Sequence, residues 1–462
     1  MDKLLIVLAF FCPFAATAQY DLEHNLSDEE KIYGLSQFWS EAKYNFAFFE
    51  QTEVNWDSAY QAFIPRVLNT KNTWDYYGEM QQFCALLKDG HTDVWRPNDL
   101  LKASTYVRIL FKNIDQRFYV SNLMAADADK VPIGSELIKV NGQPIKSYLL
   151  EHVIPYTSAS SEHELWNDAI RGLTSTLTDT IQTLALELIR PDGQKVQYDT
   201  RLYATSGKGN WVKSSKKWTP FSLEKLDKGI VKIDLNTFSD TMVVSKFKEA
   251  LPELYKSKGI IIDLRKNGGG NSGTGAEILK YFTNEKVLVG SVWQTREHKA
   301  AYKAWGTGMV MEENFDGWEQ EEIDWFMEAY EIARGQHWYK GDTMTYTNDI
   351  MDKKLTVPLV VLMGNRTGSA AEDFLVFLDG LKGRATTIGQ KSFGSTGQPI
   401  SFQLPGGGWS RICTKKDTYP DGREFVGYGI KPDIFVSLSV EEIINGKDDA
   451  LAKAIEVLKG KM

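Results

Sequence analysis

One serine stands where a buried strand is expected to turn directly into a helix. It is Ser369, in the segment Gly364-Asn-Arg-Thr-Gly-Ser-Ala-Ala-Glu372, which follows the apolar run Val357 to Met363 and precedes a second apolar stretch. At such a turn a hydroxyl is exposed beside the amides and the positive dipole end of the helix, and the Ala370 amide could hold an oxyanion. These features predict a catalytic nucleophile. The alternative is an N-cap serine, with Glu372 completing a capping box three residues later.

A glycine-rich loop follows another predicted buried strand, in the segment Ile262-Asp-Leu-Arg-Lys-Asn-Gly-Gly-Gly270. Consecutive glycines allow backbone N–H groups to point into a site, as an oxyanion hole requires. Gly268 and Gly269, together with Ala370, are therefore predicted to form that hole. A phosphate-binding loop is the competing interpretation, but the segment lacks both the G-K-[ST] ending and the G-x-G-x-x-G spacing.

Four phrases occur in an order that resembles the C-terminal processing peptidases and the catalytic core of tricorn protease, which form one serine-peptidase family. The phrases are Asp263-Leu-Arg-x-Asn-x-Gly-Gly270, Gly368-Ser-Ala-Ala-Glu372, Gly389-Gln-Lys-Ser-Phe-Gly394 and Gly427-Tyr-Gly-Ile-Lys-Pro-Asp433. The resemblance covers most of the chain from about residue 30. It implies that Ser369 attacks a peptide carbonyl, and that the substrate is an unstructured polypeptide or its C-terminal tail.

The general base divides this family into two branches. In the processing peptidases a lysine follows a Phe-Gly pair, but here the pair is followed by Ser395, and Lys391 lies before it. The tricorn-type branch uses an upstream histidine in a Leu-x-Asp-x-His phrase, which Leu87-Lys-Asp-Gly-His91 matches. His91 is therefore predicted as the general base, since a neutral imidazole accepts protons near neutral pH.

A third group is expected to orient the histidine and stabilise its cation. The resemblance implies a glutamate just upstream of the Gly-x-Gly-Ile-x-Pro-Asp phrase, but Val426 stands directly before that phrase and Glu424 is the nearest acid. Glu424 is predicted as the third member, with Glu372 as the alternative. Tricorn-type members also have a serine next to the histidine. This chain has Gly90 there, so that contribution is absent or replaced by Thr92.

The N-terminus resembles an export signal over residues 1–18. One basic residue precedes an apolar run, and the small residues Ala16 and Ala18 predict cleavage after Ala18. An apolar core helix is the alternative. No later stretch reaches the ~20 apolar residues of a membrane span. We therefore expect a periplasmic or secreted protein without a membrane span.

Changes in hydrophobic period divide the rest of the chain. They predict a multidomain α+β protein with a helical N-terminal domain over 19–100 and a β-rich domain over 105–200 that resembles a PDZ domain. An α/β core over 205–462 follows, with an aromatic-rich helical insertion at 293–346 that is either a lid or a packed excursion. The family resemblance implies that the core is a ββα superhelix of the crotonase/ClpP-like kind.

Composition excludes several partners. A net charge of −8 argues against nucleic acid, which would require a basic patch. Beyond the export signal only Cys84 and Cys413 remain, which are more typical of buried small hydrophobic residues than of a disulfide. Because no Cys/His cluster has zinc spacing, neither a metal nor a cofactor is expected.

Other functions stay open on the sequence alone. Ser395, Val426 and Gly90 all depart from the catalytic phrases, which would fit a peptide-binding protein whose catalytic set has decayed. An esterase on the same core is another alternative. An acyl-CoA enzyme is a third, although an exported chain would not meet coenzyme A.

Overall fold

The structure is a computed structural model with a mixed α+β architecture. It describes residues 24–103, 105–174, 183–204, 209–213, 217–351 and 353–462. The predicted export signal at 1–18 lies outside these residues.

The N-terminal part is helical, as its period predicted. It comprises α1 (Asp28–Asn45), α2 (Trp56–Leu68), α3 (Thr73–Ala85), the short strand β1 (Asp93–Trp95) and α4 (Asn98–Ala103). A capping box starts α1, because Ser27 Oγ accepts the Glu30 N–H at 3.2 Å and the Glu30 carboxylate accepts the Ser27 N–H at 2.9 Å. His91 lies in the turn between α3 and β1.

The middle part is a small sheet with two helices. Its elements are β2 (Thr105–Val107), β3 (Ile109–Ile114), β4 (Arg117–Leu123), β5 (Glu136–Val140), β6 (Gln143–Pro144), α5 (Ile145–His152), α6 (Glu162–Gly172), β7 (Ala185–Ile189), β8 (Lys195–Asp199) and β9 (Leu202–Ala204). The strand order is β3-β4-β5-β7-β8, with β6 paired to β5. Asn141 and Gly142 both have positive φ, as a tight turn between β5 and β6 requires. The buried apolar residues of this part form a cluster of their own.

The remaining chain alternates strands and helices. The elements are β10 (Phe221–Lys225), β11 (Ile230–Leu235), α7 (Met242–Leu254), β12 (Gly259–Asp263), α8 (Ser272–Leu279), β13 (Val287–Val289), β14 (Val292–Arg296), α9 (Ala300–Gly306), α10 (Gln320–Arg334), β15 (Trp338–Lys340), β16 (Thr345–Thr347), β17 (Leu359–Met363), α11 (Ala370–Gly380), β18 (Ala385–Gly389), β19 (Pro399–Gln403), β20 (Trp409–Cys413), β21 (Lys416–Thr418), β22 (Ile434–Phe435), α12 (Val440–Asn445) and α13 (Asp449–Lys461).

A six-stranded sheet in the order β10-β11-β12-β17-β18-β22 forms the centre of this part. All its neighbours pair in parallel except β10 with β11. Every residue of β12 and β17 is buried, as expected for a parallel sheet covered on both faces. Because β12 and β17 are adjacent and parallel, the loops that follow them leave the same edge of the sheet. The two glycine-containing loops singled out from the sequence therefore meet.

A second, three-stranded sheet joins the N-terminal helices to this core. Strand β1 pairs antiparallel with β20, in a register that places Val94 opposite Ser410. Phe38 and Phe83 of the helices belong to the same hydrophobic cluster as Ile262 and Val361 of the central sheet. The helices thus share their apolar core with the sheet, and this packing brings the turn that contains His91 to the sheet edge.

The insertion packs two helices, α9 and α10, against each other and returns through β15 and β16. Trp305 and Trp325 remain partly exposed on it. Cys84 and Cys413 are both free and buried, so they form no disulfide. Within the described ranges, no helix combines the length and apolar character needed to cross a bilayer.

Candidate active site

Ser369 occupies the strained turn between β17 and α11. Its backbone angles are φ 53° and ψ −127°, a region that costs a non-glycine residue about 1–3 kcal/mol and is concentrated at functional sites. Its N–H lies 3.1 Å from the Ser395 carbonyl and 3.2 Å from Glu372 Oε2. The side chain is half-buried at the wall of a pocket. This geometry is that of a turn that presents a nucleophile.

The loop after β12 packs directly on this turn. A Cβ atom added to Gly269 would lie 2.6 Å from Ser369 Cβ and 3.0 Å from the Ala370 nitrogen, so only glycine fits there. The Gly269 N–H, however, donates to Asn267 Oδ1 at 2.9 Å. The prediction that Gly269 offers a free amide to an oxyanion therefore requires correction, because this N–H is already used within its own loop.

The other two residues predicted for the oxyanion hole are Ala370 and Gly268. Ala370 is the first residue of α11, where a backbone N–H has no acceptor within the helix. Gly268 is exposed, and a Cβ atom there would have no neighbour within 4 Å. Of the three predicted residues, Ala370 thus has the N–H best suited to donate a hydrogen bond to a developing oxyanion.

His91 contacts Ser395, the residue that stands where one family branch has its lysine. His91 is buried, and its Nδ1 lies 2.6 Å from Ser395 Oγ. The Ser395 hydroxyl donates to Asp89 Oδ1 at 3.3 Å, so its oxygen accepts the Nδ1–H of the imidazole. This tautomer leaves Nε2 as the proton acceptor. Since the Ser395 carbonyl also accepts the Ser369 N–H, one residue contacts both the predicted nucleophile and the predicted base.

Asp89 is the carboxylate of this arrangement. Its Oδ1 also accepts the Ser160 hydroxyl at 2.9 Å, and its Oδ2 accepts the Thr92 hydroxyl at 2.7 Å. The Ser160 oxygen in turn accepts the Gly90 N–H at 2.8 Å. Asp89 is therefore held by three hydroxyl groups, one of which comes from the middle part of the chain.

Gly90 is explained by packing. A Cβ atom there would lie 2.7 Å from the Phe393 ring, so the serine that tricorn-type members carry beside the histidine does not fit. Thr92, the one residue considered as its replacement, donates its hydroxyl to Asp89 and accepts the Cys413 N–H at 3.0 Å. It thus acts on His91 only through Asp89.

Burial keeps the imidazole neutral. Removal from water lowers the pKa of His91 to about 4, against a partial opposing effect of Asp89, while Arg411 and Lys415 lower it further. At neutral pH the ring is therefore uncharged and able to accept a proton.

Glu372 joins the loops of the nucleophile and of Ser395. Its Oε1 accepts the Ser392 hydroxyl at 2.5 Å and the Gly394 N–H at 2.8 Å, and its Oε2 accepts the Ser395 N–H at 3.1 Å and the Ser369 N–H at 3.2 Å. Complete burial raises the pKa of Glu372 to about 8, although all four hydrogen bonds favour the ionised form. Its contacts hold the two loops in place and do not reach His91.

Glu424 is placed away from the predicted base. Its side chain is 47% exposed and its carboxylate lies 3.8 Å from Lys416 Nζ. Among the hydrogen bonds and ion pairs of the described residues, none joins Glu424 to His91 or Ser369. The structure therefore does not bring the predicted third member to the imidazole, and the carboxylate that is linked to the imidazole, through Ser395, is that of Asp89.

Two lysines were candidates for a Ser–Lys pair by sequence or by position. Lys391 is half-buried near His163. Burial lowers the pKa of the His163 imidazole, and the charge of Lys391 lowers it further. Lys415 lines the same pocket as Ser369, but its Nζ lies 3.0 Å from Asp417 Oδ1. Burial works against its charge, yet the carboxylates of Asp417 and Asp373 raise the pKa of Lys415. At neutral pH Lys415 is a cation and cannot act as a base.

The pocket beside Ser369 has a volume of about 420 Å³. The loop after β12, the return strand of the insertion and the segments around β19 to β21 all contribute to it, so the insertion touches the site through Met344 and Tyr346. Across the described ranges, no cluster of three or more His, Cys, Asp or Glu residues could bind a metal ion.

Sequence reasoning missed three of these residues. Asp89 lies in the phrase that identified His91, and its place two residues before the histidine could have marked it as the acid. Ser395 was noted only as the residue that stands where the processing peptidases have a lysine. Ser160 lies in no recognisable phrase, and its contact with Asp89 spans 71 positions, so no local signal could have found it.

Comparisons with known proteins show to which proteases this chain is similar. Residues 229–436 match the profile of the family described as peptidase family S41. The carboxyl-terminal-processing protease of a Picosynechococcus species is 24% identical over 444 residues, which cover 93% of this chain and 87% of that protein. The carboxy-terminal-processing protease of Bartonella bacilliformis is 24% identical over 225 residues, 49% of this chain and 42% of that relative, so the match spans less than half of its length.

Solved structures show the same fold. Mature CPAF has a TM-score of 0.68 at 14% identity, over 94% of this chain and 97% of that one. Mature CPAF complexed with lactacystin has a TM-score of 0.67 at 14% identity, over 94% of this chain and 98% of that one. Residues 229–436 therefore match peptidase family S41, and the chain is a serine-type peptidase.

Proposed function

We propose that the chain is an exported serine peptidase that cuts unstructured polypeptides, or their C-terminal tails, through an acyl-enzyme on Ser369 with His91 as general base. The observation that carries this proposal is the position of Ser395, which hydrogen-bonds the Ser369 amide with its carbonyl and the His91 imidazole with its hydroxyl. The names of the two relatives, both carboxy-terminal-processing proteases, support tails as substrates.

The first half of the reaction forms the acyl-enzyme. His91 Nε2 accepts the Ser369 hydroxyl proton as Oγ attacks the carbonyl carbon of the peptide bond. The negative charge that develops on the carbonyl oxygen is stabilised by the Ala370 N–H at the start of α11. The imidazolium then donates its proton to the leaving amine. In the second half, water attacks the ester with His91 again as the base.

Asp89 and Ser395 act as positioning residues in this scheme. When His91 gains its proton, the positive charge is stabilised by Asp89 through the Ser395 hydroxyl, which keeps the same hydrogen bonds in both states. The arrangement serves the purpose of the acid in a catalytic triad, with one hydroxyl placed between the acid and the imidazole.

Two of the three departures that suggested a decayed site have structural roles. Ser395 binds the imidazole, and Gly90 is required by the Phe393 ring. Both therefore support a retained catalytic set, built differently from that of the Ser–Lys branch.

Labelling with a fluorophosphonate probe tests the proposal. Wild type and Lys391→Ala should be labelled and should degrade an unfolded polypeptide, because Lys391 has no place in the scheme. Ser369→Ala should lose labelling and about 10³-fold or more of the activity, since only one oxygen is removed and the fold remains. His91→Ala should behave in the same way.

The opposite pattern would refute the assignment. If Lys391→Ala is inactive while His91→Ala cuts normally, the chain uses a Ser–Lys pair. If Ser369→Ala turns over like wild type, Ser369 is not the nucleophile. Export is tested separately: N-terminal sequencing of the secreted or periplasmic protein should begin at Gln19, after cleavage following Ala18.

A further inference from the structure

The pocket beside Ser369 is lined by one cation, Lys415, and one carboxylate, Asp373, and a second carboxylate, Asp417, pairs with Lys415. The side chain of Lys415 is 19% exposed, whereas that of Asp417 is fully buried and Asp373 is 5% exposed. A polar ligand that enters the pocket therefore meets the ammonium before either carboxylate.

The two carboxylates already have partners within the protein. Asp373 accepts the Ser272 hydroxyl at 2.5 Å and the Ser291 hydroxyl at 2.8 Å. Asp417 accepts the Thr396 hydroxyl at 2.8 Å, and its other oxygen faces Lys415. Asp373 has a hydrogen bond on each oxygen, and Asp417 has one hydrogen bond and the ion pair with Lys415, so neither carboxylate requires a cationic side chain from a substrate.

Lys415 is in the opposite situation. An ammonium group has three N–H donors, and the ion pair with Asp417 engages one of them. The neighbouring Gln398 is exposed and can donate as well as accept. Lys415 and Gln398 thus offer hydrogen-bond donors to a ligand in the pocket, whereas the carboxylates of Asp373 and Asp417 are already engaged.

We propose that Lys415 recognises a carboxylate on the substrate residue that flanks the bond cut at Ser369. The carboxylate belongs either to an acidic side chain or to the terminus of a short tail. This inference rests on the proposed function, since it deepens the role of the same pocket. Because Asp417 competes for the ammonium, we expect a preference of about tenfold for an acid over its amide, at the lower end for a charge-assisted hydrogen bond.

Binding to the Ser369→Ala variant tests the inference without turnover. Four fluorescent tetrapeptides are compared by anisotropy: a penultimate Glu or Gln, each with a free or an amidated C-terminus. Preference for Glu identifies the side chain as the source of the carboxylate, and preference for the free acid identifies the terminus. Equal binding of all four peptides would overturn the inference.

Substitution then assigns the preference to Lys415. Replacing Lys415 alone would leave Asp417 buried without its cation, so the variant Lys415→Met/Asp417→Asn removes the pair together, with circular dichroism to confirm the fold. The acid preference should fall to about twofold or less. Lys382→Met, on an exposed turn after α11, is the matched control and should retain the full preference. Retention of the preference in the double variant would overturn the role of Lys415.

Failure of this inference and failure of the proposed function are distinguishable. Fluorophosphonate labelling reports on an activated Ser369, and the part of the acid preference that is lost in the Lys415→Met/Asp417→Asn variant reports on the pocket. A labelled enzyme that binds acid and amide equally refutes only the carboxylate site. An unlabelled protein that still prefers acids through Lys415 refutes only the catalytic assignment.

Discussion

The acid limb of the pH–rate profile should lie far below the range usual for a histidine base. His91 is buried, and this lowers its pKa to about 4. A lowered pKa means that the neutral, proton-accepting form persists to lower pH and is lost only as the pH falls through about 4. From the sequence alone, without the burial of His91, the loss would be expected near ~6.5, the ordinary value for histidine.

The two expectations differ most at about pH 5.5. With a pKa of about 4, roughly 97% of His91 would be neutral there, against roughly 9% for an ordinary imidazole. The value of kcat/KM for a small chromogenic ester should therefore stay close to its plateau at this pH. This parameter reports the free enzyme, in which the burial was observed.

The assay follows kcat/KM from about pH 4.5 to 8, with circular dichroism at each point. Thermal stability is a poorer measure, because burial raises the pKa of Asp93, Glu164 and Glu372. These acids stabilise the fold as the pH falls toward their unfolded values, whereas His91 destabilises it between 6.5 and about 4. A half-maximal rate near pH 6.5 in a fully folded enzyme would refute the reasoning, since it would require a solvated imidazole.

Three further outcomes follow from the contacts around His91 and Ser369. Ser395→Ala should lower kcat about tenfold to a hundredfold with little change in KM, because the substitution removes the link between His91 and Asp89. An unchanged kcat would exclude Ser395 from positioning the base. Gly269→Ala should lower the free energy of unfolding in urea by about 2–4 kcal/mol, because the new Cβ would overlap Ser369 and the residue has a positive φ. Gly268→Ala should lower it by under about 1 kcal/mol, and equal losses in the two variants would contradict the packing. Ser160→Ala should slow the hydrolysis of a short ester and of a long polypeptide alike, about tenfold, because Asp89 loses one of its hydrogen bonds. A loss of rate confined to long substrates would instead mean that Ser160 serves peptide capture.

The Ser160 contact bears on the predicted PDZ-like domain. If residues 105–200 only captured tails by strand addition, their removal should weaken long substrates selectively. The structure links this part to the His91 turn through Ser160, and to the Ser395 loop through His163 and Ser161, which contact the Ser392 and Phe393 carbonyls at 2.7 and 3.1 Å. A truncation would therefore disturb catalysis as well as capture, so substitutions in the β5–β6 hairpin are a cleaner test of capture than deletion.

Local patterns in the sequence determined a large share of this protein. Buried runs predicted β12 and β17, and glycine and serine after them predicted where chemistry would lie, because the ends of adjacent parallel strands meet at one edge. The phrase that contains His91 and the absence of a lysine after Gly394 pointed to the histidine branch. These inferences depend on residues within a few positions of one another, which is the range over which sequence period and turn chemistry act.

Only the tertiary structure decided how the imidazole is held. Asp89 and Ser395 are 306 positions apart and meet because β1 pairs with β20, a register that no local pattern specifies. The same packing leaves Glu424 at the surface and uses the Gly269 amide within its own loop. Hydrogen bonds of a few ångströms depend on how distant segments pack, and burial then sets the charge of His91. For these reasons the sequence could single out Ser369 as the proposed nucleophile but could not find the partners of the proposed base.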